Sequence, residues 1–248
     1  MNIFRQLKRY LIYKYKIKTD IDKLTQNFSD LSINEIFKYF NTDKGSTWNI
    51  NDQGHGYSKY YEKHLNLLKN KEINILEIGS YSGASAASFV KYFPLSKIYC
   101  LDINLTNFKF SSEKINVFGL DVSKKSMLDK FYKKINILSN EKYFDIIIDD
   151  GSHKLSDILI SINEFFLNLK TNGFYIIEDY KFPNYYAHLN DCSEMTIDKI
   201  LNCIGKKEKF NSNIINEEII KHLLNSSEIH EHHGMLENSD IAFIKKLN

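Results

Sequence analysis

The segment NILEIGSYSGASAASFVKYF, residues 74–93, predicts a strand, a glycine-containing loop and a helix in direct succession. Its first part, NILEIG (74–79), is an apolar run that ends in an acid and a glycine, which is typical of a buried strand. The part ASAASFVKYF (84–93) predicts a helix. A strand, a tight loop and a helix in this order indicate the start of an α/β domain.

Strands and helices continue to alternate on the C-terminal side of this segment, and the last two strands suit an antiparallel hairpin at a sheet edge. The sequence therefore predicts a Rossmann-like α/β fold with a seven-stranded, mostly parallel sheet, helices on both faces and an antiparallel C-terminal hairpin. Ligands bind at the carboxyl ends of the strands in such sheets. The further predicted strands are 97–103, 115–121, 144–150, 173–180, 228–233 and 240–246, and the further predicted helices are 123–135 and 155–169.

The N-terminal part has a different character. We expect residues 1–40 to form a helical extension and residues 41–248 the main domain, which begins with a polar, turn-rich loop at 41–65. Residues 1–18 combine apolar residues at helical spacing with six basic residues and no acid, so they form either a solvated helix packed on the domain or a helix that docks weakly to a membrane or a partner complex. The basic residues are Arg5, Lys8, Arg9, Lys14, Lys16 and Lys18.

Composition narrows the class of protein. The chain has 248 residues, 43% of them hydrophobic, and a formal net charge of +2, so nucleic acid is not an expected partner. The three cysteines, Cys100, Cys192 and Cys203, form no CxxC pair, which argues against a disulfide scaffold or a zinc site and fits a reducing cytoplasm. We expect neither a signal peptide nor a transmembrane helix.

The loop LEIGSYSG (76–83) predicts one ligand-binding site. Gly79 and Gly83 permit a tight turn and a close approach of a ligand to the backbone. Tyr81 stands where a dinucleotide-binding loop would have its middle glycine. Glu77 would repel a pyrophosphate but suits the ammonium group of an amino acid.

Two acids downstream extend this prediction. Asp102 ends the second strand, where a carboxylate can accept hydrogen bonds from ribose hydroxyls. Asp121 follows the third strand, where it either meets an adenine edge or serves only as a turn or helix cap. The pattern over residues 73–246 resembles the class I S-adenosylmethionine-dependent methyltransferases. That resemblance implies S-adenosylmethionine as cofactor, bound by Glu77, Gly79, Tyr81, Gly83, Asp102 and Asp121.

A second group of polar residues ends two later strands, in IIIDDGSH (146–153) and IIEDY (176–180). Successive strand residues point to opposite faces, so Asp149 and Asp150 cannot both contact one ligand in a regular strand. Convergence of Asp150, Glu178 and Asp179 would require a hard cation such as Mg²⁺. A neutral His153 could take a proton from a substrate hydroxyl. The alternative is that these residues are turn, cap and solvated strand-end groups.

The spacing of DDGSH and IEDY is similar to that of the metal-dependent sugar O-methyltransferases of macrolide biosynthesis, of the mycinamicin and tylosin type. The resemblance implies Asp150, Glu178 and Asp179 as ligands of Mg²⁺ or Mn²⁺, and His153 with Asp150 as catalytic residues. The segments TDKGS (42–46) and HGY (55–57) are similar to that family's loop ahead of the first strand. By the same resemblance Lys44 and Tyr57 contact the cofactor, and His55 and Tyr180 contact the substrate.

The resemblance implies an O-methyltransferase for a sugar hydroxyl, with a nucleotide-linked sugar of surface polysaccharide or glycoconjugate assembly as the expected substrate and a homo-oligomer as the expected state. Two alternatives stay open: a methyltransferase for a non-sugar hydroxyl such as a catechol, and a non-catalytic nucleotide-binding subunit of a glycan assembly complex. The tract HEHH (230–233) has poor spacing for a metal. The segment 181–227 is expected to shape the acceptor pocket.

Overall fold

The computed structural model describes residues 3–49 and 52–247, so Met1 and Asn2 of the predicted extension lie outside the described residues. The helices are α1 (Ile3–Tyr15), α2 (Ile33–Phe40), α3 (Ser58–Leu65), α4 (Ala84–Tyr92), α5 (Lys125–Ile135), α6 (Leu155–Phe165), α7 (Phe182–Tyr185), α8 (Ile197–Lys206) and α9 (Glu217–Asn225). The strands are β1 (Thr19–Asp20), β2 (Thr47–Trp48), β3 (Asp52–Gln53), β4 (Ile73–Ile78), β5 (Ser96–Asp102), β6 (Phe110–Ser111), β7 (Ile115–Gly119), β8 (Phe144–Asp149), β9 (Leu169–Glu178), β10 (Ser227–His233) and β11 (Asp240–Lys246).

The main sheet has seven strands in the order β10-β11-β9-β8-β4-β5-β7. The pairs β4/β5, β5/β7 and β8/β9 are parallel, whereas β11 runs antiparallel to both of its neighbours, β9 and β10. The predicted mostly parallel sheet with an antiparallel C-terminal hairpin is thus confirmed. Among the described residues, no helix is long and apolar enough to span a membrane.

The chain divides into two compact units, of which the first contains the residues through Asp121 together with Gly234–Glu237. In this unit α2 packs on α4 through Phe37 and Phe89, whose ring centroids lie 5.5 Å apart at right angles. A capping box between Ser32 and Glu35 satisfies backbone N–H groups at the start of α2. The short parallel pair β1/β6 joins the segment that follows α1 to the same unit.

Two expectations for this part of the chain need correction. The N-terminal 40 residues are not helical throughout, because β1 and a short 3₁₀ helix at Ile21–Lys23 separate α1 from α2. The predicted loop at 41–65 contains the helix α3, whose Tyr61 and Leu65 lie one turn apart and are completely buried. Lysine, glutamate and histidine around these two residues hide the apolar pair in the sequence. The boundary between an extension and a domain at residue 40 stays a prediction.

The second unit contains Val122–His233 and the residues from Asn238 onward. Its strands β8, β9, β11 and β10 form a core with α6, which buries residues along one face. The segment 181–227, for which the sequence predicts no particular elements, contains α7, α8 and α9. In α8 the buried residues follow helical spacing, which is the signal that would have revealed this helix. They are Ile197, Ile200, Leu201 and Ile204.

The last residue of β8, Asp149, is a buried carboxyl in this core. Asp149 is 3% exposed. Burial raises the pKa of its carboxyl to about 7, and hydrogen bonds from Ser161 and from the Gly151 backbone oppose this shift. Asp150, the next residue, is only half-buried. The two carboxyls therefore occupy different surroundings, as expected from the alternation of side chains along a strand.

Replacing Asp149 should change how stability depends on pH. Between the ordinary aspartate pKa of 3.8 and the raised value of about 7, the folded carboxyl keeps a proton that the unfolded one has lost. The free energy of unfolding therefore falls as pH rises through this range, by about 1.4 kcal/mol per unit of pKa shift. Asp149→Asn cannot titrate, so the stability of the wild type relative to this variant should decline from about pH 4 to pH 7 in urea denaturation.

The matched control for that measurement is Asp129→Asn, because Asp129 is an exposed aspartate of α5 in the same unit. The difference between wild type and this control should show no comparable decline. A parallel pH dependence of the wild type and Asp149→Asn would contradict the raised pKa.

Candidate functional site

The loop that follows β4 is forced into a tight turn by three residues with left-handed backbone. The φ angles are 86° at Gly79, 40° at Tyr81 and 75° at Gly83. The Gly79 N–H donates to the Leu101 carbonyl at 2.8 Å, and the Gly83 N–H donates to the Ser80 carbonyl at 2.7 Å. Left-handed backbone is strained for a tyrosine but not for glycine, so this conformation must be held by its surroundings.

Asp102 is one of the groups that hold the loop. One carboxylate oxygen accepts the backbone N–H of Tyr81 at 2.7 Å, and the other accepts that of Asn104 at 2.6 Å. Burial raises the pKa of this carboxyl, while the two backbone hydrogen bonds act in the opposite direction. The structure thus brings two predicted cofactor residues, Tyr81 and Asp102, into direct contact. Both carboxylate oxygens retain capacity for a further donor.

Glu77, near the end of β4, is 1% exposed. It accepts a hydrogen bond from the Ser85 hydroxyl of α4, and the Cys100 thiol of β5 lies 3.9 Å from its other oxygen. The negative charge of this buried carboxylate suits it to a cationic ligand group. Asp121 lies two residues beyond the end of β7 and is half-buried.

Gly83 allows the first turn of α4 to approach Phe108. A Cβ atom at Gly83 would lie 2.5 Å from the Phe108 ring, which is too close for any side chain, and Phe108 is completely buried. The residue is therefore required both by its φ angle and by this contact. Sequence reasoning had identified the glycine but not the phenylalanine against which it packs.

The segment ahead of β4 is built by a short ladder of backbone hydrogen bonds. The N–H groups of His55 and Tyr57 donate to the carbonyls of Asp43 and Lys44 at 2.7 and 2.8 Å. Lys44 is 2% exposed and Tyr57 is completely buried, and the rings of His55 and Tyr57 stack at 5.1 Å. The structure brings these three predicted pocket residues together. Their roles toward cofactor and substrate stay predictions.

In the second unit, Asp150, His153 and Asp179 form a group whose ligand atoms all lie within 4.8 Å of one another. The Nε2 atom of His153 is 3.7 Å from a carboxylate oxygen of Asp150, and both side chains are about one-fifth exposed, at 21% and 23%. Asp179 is 5% exposed. Two predicted metal ligands and the predicted base are thus brought together. Glu178, which ends β9 and is 3% exposed, lies outside this group, and its role as a ligand stays a prediction.

The turn that carries Asp179 is held by an acid that the sequence analysis missed. Asp240, at the start of β11, is 2% exposed and accepts hydrogen bonds from Lys181 at 3.0 Å and from the Tyr185 hydroxyl at 2.7 Å. An imidazole nitrogen of His233 lies 3.2 Å away. The antiparallel pairing His233↔Asp240 creates this cluster, so only knowledge of the hairpin register could have revealed it.

Aromatic residues adjoin the same turn. The ring of Phe182 contacts that of His153 at 5.0 Å, with the Phe182 N–H donating to the Asp179 carbonyl at 2.9 Å. Tyr180, predicted to contact substrate, is 1% exposed, and its hydroxyl donates to Glu231 at 2.5 Å. Burial first, and then Glu231, raises the pKa of Tyr180. Its predicted contact with substrate remains untested.

The chain is similar to known proteins both in sequence and in structure. No protein-family model matches the chain. The mycinamicin VI 2''-O-methyltransferase of Micromonospora griseorubida is 28% identical over 132 residues, which are 50% of this chain and 31% of the relative. The L-olivosyl-oleandolide 3-O-methyltransferase of Streptomyces antibioticus is 32% identical over 143 residues, 53% of this chain and 34% of the relative. The matches therefore span about a third of these relatives.

Solved structures of a methyltransferase from the mycinamycin biosynthetic pathway, MycE, have a similar fold. Its complex with Mg, SAH and mycinamycin VI superposes with a TM-score of 0.64 at 20% identity, covering 89% of this chain and 56% of that one. Its complex with Mg and SAH gives 0.62 at 23% identity, covering 88% and 55%. At this level of identity the likeness shows the fold, which is the Rossmann-like fold of class I methyltransferases. The fold expected from the resemblance is thus confirmed.

Gly83→Ala should destabilise the first unit. The added methyl group meets the Phe108 ring at 2.5 Å, and alanine is strained at a φ of 75°. We expect the free energy of unfolding to fall by about 1–3 kcal/mol in urea denaturation. Gly205→Ala is the matched control, because a Cβ there meets nothing within 4 Å and the residue lies inside α8. The control should be neutral or stabilising, and equal stability of both variants would contradict the proposed clash.

Proposed function

We propose that the protein is an S-adenosylmethionine- and Mg²⁺-dependent O-methyltransferase that acts on a sugar hydroxyl. The observation that carries this proposal is the convergence of Asp150, His153 and Asp179 in a chain with a methyltransferase fold. Two comparisons support the proposal: the relatives are named as O-methyltransferases, and the MycE structure was solved with Mg and SAH.

The first unit would hold the cofactor. The buried Glu77 carboxylate would bind the ammonium group of the amino-acid part, and the carboxylate of Asp102 would accept the ribose hydroxyls at the lone pairs that Tyr81 and Asn104 leave open. Gly79 and Gly83 would let the ligand approach the backbone of the turn. Asp121 would contact the adenine edge.

The second unit would hold the cation. Asp150 and Asp179 offer carboxylate oxygens, which are the ligands that Mg²⁺ and Mn²⁺ prefer. Glu178, which ends β9 outside this group, is the third ligand of the proposal. Asp179 is almost fully buried, so a cation would offset the cost of placing its negative charge near Asp150. The donor set therefore fits such an ion.

When bound, Mg²⁺ makes a coordinated hydroxyl more acidic, and S-adenosylmethionine carries a methyl group in transferable form. His153 would accept the hydroxyl proton at Nε2, which lies 3.7 Å from Asp150. The Asp150 carboxylate would then stabilise the imidazolium. Phe182, packed against the His153 ring, would fix the orientation of the base.

The proposed acceptor is a sugar hydroxyl because the names of the relatives specify glycosides. More specifically, we propose a nucleotide-linked sugar of surface polysaccharide or glycoconjugate assembly, in which His55 and Tyr180 would contact the substrate and Lys44 and Tyr57 the cofactor. A cytoplasmic location and a homo-oligomeric state complete the proposal. A catechol or other small-molecule hydroxyl is the competing acceptor class.

Calorimetric titration of the full chain with S-adenosylmethionine and, separately, with NAD tests the cofactor. Micromolar affinity for S-adenosylmethionine and none for NAD is expected. Glu77→Gln should weaken the binding of S-adenosylmethionine at least tenfold, since it removes the charge opposite the ammonium group. Glu72→Gln, an exposed glutamate just ahead of β4, is the control. Binding of NAD, or of neither compound, would overturn the assignment.

Turnover with a panel of nucleotide sugars, glycosides and catechols tests the reaction. Asp150→Asn and His153→Ala should each lower turnover by roughly 10²-fold or more without loss of fold. Glu208→Gln and His222→Ala, which lie in other parts of the same unit, should retain it. Chelation should abolish activity and Mg²⁺ restore it. Activity that survives complete chelation would remove the metal from the mechanism, and wild-type turnover in His153→Ala would remove that base.

A further inference from the structure

One side of the N-terminal helix α1 is fixed to the first unit. Tyr13 packs edge-on against Phe108, with ring centroids 6.1 Å apart. The guanidinium of Arg9 donates to the Ile103 carbonyl at 3.1 Å, and the ammonium of Lys16 donates to the Thr106 carbonyl at 2.9 Å. Arg9, Tyr13 and Lys16 are separated by four and three residues, so they share one face of the helix. This face sets how α1 is rotated about its axis.

The opposite face of α1 presents apolar side chains to solvent. Residues 4, 7, 11 and 15 are spaced by three and four positions, and they therefore form a second stripe, on the side away from Tyr13. The exposed fractions on this stripe are large for apolar residues, at 81%, 54%, 42% and 76% for Phe4, Leu7, Leu11 and Tyr15, respectively. Ile17, just beyond the helix, is 95% exposed. Isolated apolar residues on a surface are common, but a continuous stripe indicates a binding face.

The charges beside this stripe have one sign. Arg5, Lys8 and Lys14 are exposed, and residues 1–18 contain six basic residues and no acid. On a helical projection Lys8 and Lys14 flank the apolar stripe on either side. An amphipathic helix with aromatic and aliphatic residues on one face and basic residues along its borders suits the interface of a membrane.

We propose that α1 binds the surface of an anionic lipid bilayer, with Leu7, Leu11 and Tyr15 in the interface and Lys8 and Lys14 against lipid phosphates. The choice of partner follows from charge. A second copy of α1 on the same stripe would bring two all-basic segments together with no acid in either to pair with, and like charges at this distance repel. Anionic lipid head groups supply the missing counter-charge.

Co-sedimentation of the full chain with vesicles tests this proposal. Vesicles of phosphatidylcholine with phosphatidylglycerol should bind the protein, and vesicles of phosphatidylcholine alone should not. High salt should release it, because head-group attraction is screened. Leu7→Ser with Leu11→Ser should lower the partition coefficient at least tenfold. Lys8→Gln with Lys14→Gln should lower it about 25-fold, since each basic side chain near an anionic surface is worth roughly a fivefold change.

Matched controls distinguish vesicle binding by this face of α1 from nonspecific adsorption of the protein. Leu67→Ser with Leu138→Ser replaces apolar residues that are 84% and 76% exposed elsewhere, and Lys63→Gln with Lys71→Gln removes two exposed charges elsewhere. Both control variants should bind as the wild type does. Because the altered residues of α1 are exposed, the circular dichroism spectra should match the wild type, and the charge pair tests the proposal independently of the apolar pair.

Three outcomes would overturn the proposal. They are an absence of binding to anionic vesicles, a loss of binding that is equal in test and control variants, and self-association in ultracentrifugation that Leu7→Ser with Leu11→Ser abolishes while vesicles bind nothing. The last outcome would assign the stripe to a second copy of the chain. Methyl transfer to a soluble acceptor should be unchanged in all these variants, so the test is independent of the proposed activity.

Discussion

Two residues of the candidate cation site, His153 and Asp179, have left-handed backbone, with φ angles of 57° and 51°. An L-amino acid in this region is strained by about 1–2 kcal/mol, and although aspartate and histidine tolerate it better than most residues, the surroundings must offset the cost. The arrangement of the donors depends on this constraint. In extended backbone, the side chain of Asp179 would continue the alternation of β9 instead of leaving the strand where Asp150 and His153 lie.

The surroundings that impose this backbone are identifiable. β8 and β9 are paired in parallel with their apolar residues fully buried, so the ends of both strands are fixed at one edge of the sheet. Beyond β9, Asp240 accepts hydrogen bonds from Lys181 and Tyr185, and these close the chain into a turn directly after Asp179. On the other side, Phe182 contacts the His153 ring. Three features order this turn and offset the cost of its left-handed backbone: the core beneath β8 and β9, the buried hydrogen-bond cluster around Asp240 and the contact of Phe182 with the His153 ring.

The sequence predicted most of the sheet because buried strands and amphipathic helices follow simple periods. The strands of NILEIG and IIIDD end within one residue of the predicted positions, and the acids at their ends could be assigned to the binding edge by the general rule for parallel sheets. The helix α3 was missed because its two buried residues stand among charged ones, and α8 because an aromatic, turn-rich stretch precedes it. Only the omission of α3 reflects weak apolar periodicity, because the buried residues of α8 follow helical spacing.

The site was predictable in its residue types but not in its geometry. That Asp149 and Asp150 have different surroundings follows from strand alternation alone. Strand alternation does not determine which of Glu178 and Asp179 lies beside His153. That depends on a left-handed turn at a non-glycine residue, for which the sequence carries no signal. Asp240 could not be found either, since its partners Lys181 and Tyr185 lie more than fifty positions away in the chain.

Both units contain the same local arrangement, an acid at a strand end followed by a residue with left-handed backbone. In the first, the strand β4 carries Glu77 and continues into Gly79 and Tyr81, whose left-handed backbone is tied to the strand-end acid Asp102. In the second, β8 and β9 end in acids and continue into His153 and Asp179. A parallel strand fixes the position of an acid, and a left-handed residue after it turns the chain sharply enough to expose polar groups at the strand end. The two proposed kinds of chemistry, recognition of an amino acid with a nucleoside and recognition of a cation, would therefore need no different architecture. The two turns differ in what they contain: glycine in the first, where a ligand could approach the backbone, and aspartate and histidine in the second, where polar side chains gather at the strand ends.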